Sequence, residues 1–308
     1  SHALENTIVQ GVNHESIGLQ IMHNLNKEFN GALTVAIEIY TGKYHVQFLH
    51  QMVSSQLDTD RLDYLKRDSF FTGVSEGVIG SERIIKMLTV HDGNLAVEAK
   101  GVYSLEKFLI ARRLMYWQVY LHKTVVSAEH LLMNILLRAK ELMTLGHDLD
   151  ASDSLKFLLQ NKEAFNLNDS EVWLKHFLKL DDFDILYSIK QWIDADDKII
   201  GEMCKRLINR QLLKVKQLNA PLTESEIKKW REKAAKLYQV SPEDARYFVF
   251  QNSISNSAYS SGDDSINILY KDGTARDISE SASIFRFSSL EAIETKHFVY
   301  FPEGINVQ

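Results

Sequence analysis

The sequence predicts a mainly α-helical body over residues 1–210, followed by a smaller α+β region over residues 211–308. Three observations carry this division. The three prolines, Pro221, Pro242 and Pro302, lie in the last third, so residues 1–220 lack the residue that breaks helix interiors. Apolar residues in that stretch recur at helical spacing. Beyond residue 210, short apolar runs separated by turn-forming residues take over.

The elements follow in order. His14–Phe29 places Ile17, Ile21, Met22 and Leu25 on one stripe, and Tyr44–Val53 does the same with Val46, Leu49 and Val53. Met87–Val90 and Leu95–Glu98 flank an Asp92-Gly93 turn and predict a β-hairpin. Leu105–Lys123 and Val125–Leu145 predict two longer helices, and further helical patterns cover 171–179, 182–192 and 196–210. Leu212–Lys216 alternates as a strand, and Thr223 with Glu226 forms a capping box for a helix running to Tyr238. Tyr247–Phe250, Ile266–Tyr270 and Phe298–Phe301 predict strands, and Asn256–Asp264, rich in Ser, Asn, Gly and Asp, predicts a loop.

Composition narrows the function classes. With 45% apolar and 25% charged residues the chain is globular, not disordered. The balance of 35 basic and 41 acidic side chains gives a net charge of −6, which argues against nucleic acid as the main partner. No run of 18 apolar residues occurs, so no membrane partner is expected, and no secretory leader is visible. The single cysteine, Cys204, excludes an internal disulfide and a Cys-rich zinc site, and its helical context predicts a core position. A cytoplasmic setting is the expectation. The chain opens at Ser1-His2 and not at methionine, which predicts a piece of a longer protein.

Several chemistries are missing from the pattern. Gly73, Gly77 and Gly80 have the wrong spacing for a phosphate-binding glycine loop, and no G-x-S-x-G elbow exists. His14-Glu15 lacks the second histidine of a zincin helix, because Gly18 stands there.

The most informative segment is Gln56–Asp68. Read as a helix, it sets Asp60, Tyr64 and Asp68 at i, i+4 and i+8, nearly on one face, with Arg61 and Arg67 at its edges and Leu62 and Leu65 anchored in the core. Such a face suits a metal–phosphate–sugar ligand: an acid for a cation, an arginine for phosphate, a phenol and a second acid for a sugar. It equally suits a solvated charged face with internal salt bridges.

The motif D-x-D-R-x-D-Y-x-x-R-D followed by Gly73 resembles the signature of the HD-domain phosphohydrolases, in particular their deoxynucleoside triphosphate triphosphohydrolase branch. Ser1-His2 resembles the tail of the segment that gives the family its name, and His14-Glu15 resembles a downstream His-Glu pair. Tyr116-x-x-x-Tyr120-x-His122-Lys123 resembles the helix that closes the nucleotide pocket, and Arg206–Arg210 the lead into the C-terminal region.

The resemblance implies an HD-type helical bundle and assigns roles by position. Asp60 matches the metal-binding aspartate, and Asp58 a structural acid able to cap the helix. Arg61 matches a phosphate-contacting base, Tyr64 a nucleotide-contacting tyrosine and Asp68 an acid near the sugar 3′-hydroxyl. Tyr120 matches the aromatic under the deoxyribose, with Tyr116 one turn away. His14 and His2 match catalytic-site histidines, with Glu5 or Glu15 as the orienting acid.

The implied cofactor is a divalent ion, Mg, Mn or Fe, whose other ligands are expected upstream of Ser1, so the chain by itself is expected to be nearly inactive. The implied reaction releases deoxynucleoside and triphosphate. Its rivals are hydrolysis of another nucleotide phosphoester and a non-catalytic nucleotide-binding module. Implied partners are deoxynucleoside triphosphates, a possible activating nucleotide and further copies of the chain. Arg112 and Arg113 read as surface charge, or as a contact to the phosphate of an effector nucleotide, and His122-Lys123 as a solvated helix edge. The remaining histidines read as structural.

Overall fold

The computed structural model describes residues 2–9, 11–161, 170–256, 259, 265–281 and 293–305. Helices dominate, and among the described residues seven short strands accompany them: β1 (Leu88–His91), β2 (Asn94–Glu98), β3 (Lys214–Leu218), β4 (Phe250–Asn256), β5 (Asn267–Leu269), β6 (Ala275–Asp277) and β7 (Glu294–Phe301). Among the described residues no helix is long and apolar enough to cross a membrane. The chain divides into two compact units, each assembled from separated segments. The first comprises Ser1–Ile21, Lys123–Ser253 and Lys296–Gln308, and the second Met22–His122 and Ile254–Thr295. The division expected at residue 210 falls inside the first unit.

In the first unit the helix Lys123–Thr144 is the axis, burying Leu131, Ile135, Leu136, Ala139 and Leu142 along one face. The helices Asp153–Gln160, Asp182–Trp192 and Lys198–Ile208 complete this core, and Cys204 lies fully buried within it. Their starts are written locally. Ser152, Asp181 and Asp197 each cap the helix that follows by accepting from its first-turn backbone N–H groups. The Asp197 carboxylate also takes both Nε and Nη2 of Arg138, at 3.2 and 2.6 Å, so one acid caps a helix and ties it to the axis. The capping box at Thr223 starts the helix Glu224–Tyr238, and β3 pairs antiparallel with β7, Val215 opposite Tyr300.

The expected strand over Tyr247–Phe250 is corrected. Asp244–Tyr247 forms a tight helical turn, the backbone N–H groups of Phe248 and Val249 return to the Ala245 carbonyl, and β4 starts only at Phe250. Tyr247, Phe248 and Val249 are buried in succession, and a continuous apolar run does not by itself tell strand from buried turn. The loop expected over Asn256–Asp264 lies mostly outside the described residues.

In the second unit the predicted hairpin is present. Asp92 and Gly93 both have positive φ, 48° and 78°, as a type I′ turn requires. β5 joins β2 in parallel and β6 pairs antiparallel with β5, giving the order β1-β2-β5-β6. Against this sheet and its helices, Leu62 and Leu65 from the helix Thr59–Thr72 meet Leu105, Phe108, Leu109 and Met115 from the helix Val102–Met115 in one core. Between the two helices sits the short turn Ser75–Gly77. A Cβ on Gly77 would stand 2.7 Å from both Met115 Sδ and Ser69 Cβ, so the close approach of these helices depends on the missing side chain.

Candidate functional site

Asp58 starts the central helix of the second unit. It is extended, 5% exposed, and its Oδ1 accepts the Arg61 backbone N–H at 2.8 Å. Gly73, in the left-handed conformation at φ 70°, ends the same helix. With Leu62, Leu65 and Ser69 turned into the core, the 3.6-residue repeat brings Tyr64 and Asp68 to a second face beside Arg61.

The helix Val102–Met115 supplies the opposing wall. It runs into a single π-helical turn over Tyr116–Tyr120, closed by the Leu121 N–H on the Tyr116 carbonyl at 2.7 Å. Such wide turns are frequent at functional sites. The Tyr120 hydroxyl donates to Asp68 Oδ2 at 2.7 Å. The Tyr120 ring lies edge-on to Tyr64 at 6.0 Å and to Tyr116 at 5.4 Å between centroids. The second unit therefore brings together Arg61, Tyr64, Asp68, Tyr116 and Tyr120.

Sequence reasoning left Arg112 outside the site. It reads as surface charge or as a contact to an effector phosphate, yet its Nε and Nη1 are buried with no hydrogen-bond partner among the described residues, and its guanidinium lies 5.9 Å from the centre of the Tyr116 ring. A signal for it was present: Arg112, Tyr116 and Tyr120 repeat the i, i+4, i+8 spacing of Asp60, Tyr64 and Asp68. Arg113 does follow the surface reading, pairing with Glu294 at 3.3 Å.

The electrostatics of this face are set by burial and by its two arginines. Burial, and next the like charge of Arg61, push the Arg112 pKa down. Burial and the neighbouring Tyr116 phenol raise Tyr64 to about 12, against the pull of Arg112 and Arg61. Burial, and next the hydrogen bond to Asp68, drive Tyr120 far above the usual phenol range. Both phenols are therefore neutral donors at physiological pH, while Arg61 is paired with Asp58 and Arg112 has no carboxylate partner among the described residues.

Asp60 is solvent-exposed at the first turn. The family resemblance implies a divalent metal ion at this aspartate. Among the described residues, however, no three His, Cys, Asp or Glu side chains converge as a ligand set, and a lone carboxylate does not fit a tightly held divalent cation.

The first unit holds a separate pair. Asn13 caps the helix His14–Glu28 by accepting the Ser16 N–H at 2.8 Å, and His14 Nδ1 lies 3.2 Å from Glu5 Oε2. The imidazole is half exposed and the carboxylate is 10% exposed. Such a contact fixes the ring's orientation and assigns proton exchange to Nε2. His2 opens the helix His2–Thr7, but its side chain lies outside the described residues.

Together these features describe a helical protein with an arginine- and tyrosine-lined face around Asp68 on one unit and a carboxylate-oriented histidine on the other. Residues 79–155 match the family described as the HD-associated region. A phosphohydrolase from Bacteroides thetaiotaomicron, known from its crystal structure, is 47% identical with a TM-score of 0.94, over 98% of this chain and 75% of that one. The uncharacterized protein YwfO of Bacillus subtilis is 30% identical over 275 residues, 87% of this chain and 60% of its own. A deoxynucleoside triphosphate triphosphohydrolase SAMHD1 homolog of Dictyostelium discoideum is 24% identical over 187 residues, 55% of this chain and 34% of its own. The chain spans 45% to 60% of the length of the first three curated relatives it matches. It belongs to the HD-domain phosphohydrolases.

Proposed function

We propose that this protein hydrolyses deoxynucleoside triphosphates to deoxynucleoside and intact triphosphate. The observation that carries the reading is the pairing of two polar features on one face. Tyr120, bonded to Asp68 and set edge-on against Tyr64, offers a polar aromatic seat, and Arg112 beside it has buried donors that meet no acceptor among the described residues. The seat suits a sugar: the Tyr120 ring lies under it, and Asp68 Oδ1 accepts from the 3′-hydroxyl. Arg112 and Arg61 suit the phosphates, whose oxygens satisfy the unmet guanidinium N–H groups.

In the reaction a water oxygen forms a bond to the α-phosphorus and gives up a proton, the bond from that phosphorus to the 5′-oxygen breaks, and the leaving oxygen takes a proton. Arg61 and Arg112 offset charge on the triphosphate as it separates. The named activity of the Dictyostelium relative agrees with the substrate class.

The test is product analysis of the full-length protein with each deoxynucleoside triphosphate and a divalent metal. Equal amounts of deoxynucleoside and triphosphate are expected. Release of pyrophosphate or orthophosphate, or turnover of other phosphoesters alone, would overturn the reading.

A further inference from the structure

The Asp58 carboxylate makes contacts that a simple helix cap does not need, and its two oxygens have different tasks. Oδ1 accepts the Arg61 backbone N–H at 2.8 Å and starts the helix. Oδ2 accepts Nε of the same arginine at 3.1 Å and the Ser55 N–H at 3.3 Å. The acid is buried, whereas the Arg61 side chain is 27% exposed. The arginine is therefore gripped from behind. Its Nε is held, while no acceptor among the described residues meets Nη1 or Nη2.

We infer that Asp58 is a positioning residue for anion binding: it locks the Arg61 guanidinium with the Nη edge presented to a phosphate of the ligand. This rests on the reading that the tyrosine–arginine face receives a phosphorylated ligand. A long side chain held in one orientation beforehand loses less freedom when it binds. The like charge of Arg112 repels the Arg61 guanidinium, and the Asp58 grip opposes that repulsion.

The two-oxygen arrangement supplies a clean perturbation. Asp58→Asn keeps one acceptor oxygen, and asparagine is among the best capping residues. With that oxygen on the Arg61 N–H, the amide NH2 replaces Oδ2 and faces two donors, Arg61 Nε and Ser55 N–H, so the grip is lost while the cap remains. Asp58→Ser is a second variant, since serine caps well and is too short to reach the guanidinium.

The experiment measures binding of inorganic triphosphate by calorimetry to the full-length protein, to each Asp58 variant, to Arg61→Gln, and to Asp58→Asn combined with Arg61→Gln. Each Asp58 variant should weaken binding roughly five- to tenfold. In the Arg61→Gln background, Asp58→Asn should change nothing further. A role confined to building the helix predicts equal weakening in both backgrounds, which would overturn the inference, as would unchanged or tighter binding by the Asp58 variants. Absence of triphosphate binding by the wild type would overturn the phosphate reading itself, and is thereby distinguished from a failure of Asp58 alone.

Discussion

Arg112 offers the sharpest separation of stability from function. Two of its nitrogens are buried with no acceptor among the described residues, and unmet buried donors cost about 1–3 kcal/mol each. The cation–π contact with Tyr116 returns about 0.5–2 kcal/mol, and nearby Arg61 adds repulsion. Arg112→Met keeps a flexible apolar stem in the same space and removes charge and donors together. The variant should therefore be more stable, by about 1 kcal/mol, and appear as a higher urea midpoint with unchanged slope. Binding of triphosphate should fall roughly tenfold to a hundredfold, the equivalent of one lost charge-assisted hydrogen bond. Loss of stability together with loss of binding would refute the reasoning, because Arg112 would then be a structural residue and its unmet donors would have partners in solution.

Other consequences follow from the same geometry. Tyr120→Phe removes the donor to Asp68 and should cost about 1–2 kcal/mol in chemical denaturation, after allowance for the partial exposure of both groups. The raised phenols give stability a definite dependence on pH. Below the ordinary tyrosine pKa of about 10, the folded and unfolded states are equally protonated and stability is complete. Above it the unfolded chain releases protons first, so stability falls as pH rises from about 10 towards the value of about 12 of Tyr64. A Tyr64→Phe, Tyr120→Phe double variant should flatten that alkaline loss, measured by denaturation across pH 9–11, a range chosen around the ordinary value. Gly77→Ala would bring a methyl to 2.7 Å from Ser69 Cβ. That atom is fixed by its helix, so a loss of about 1–3 kcal/mol is expected in the same assay.

What was legible in the sequence was local. The Thr223 capping box, the Asp92-Gly93 turn and the helix Asp182–Trp192 each depend on residues a few positions apart, and each is present. The Asp60–Tyr64–Asp68 spacing placed Tyr64 and Asp68 on one face for the same reason. What stayed hidden needed distant contacts or a choice among equal local patterns. Tyr247–Phe250 was an apolar run whose burial on successive residues fits a turn as well as a strand. The spacing of Arg112, Tyr116 and Tyr120 was visible, but the burial of Arg112 near a second arginine depends on a distant helix. The grouping of separated segments into two units is a tertiary fact that composition shifts near residue 210 do not report.

The most direct test of the proposed chemistry is isotopic. The full-length protein is incubated with a deoxynucleoside triphosphate in water enriched in oxygen-18, and the products are read by mass spectrometry. Attack at the α-phosphorus with departure of the 5′-oxygen predicts one heavy oxygen in triphosphate and none in the deoxynucleoside. A nucleoside mono- or diphosphate product, or heavy oxygen in the deoxynucleoside, would contradict it.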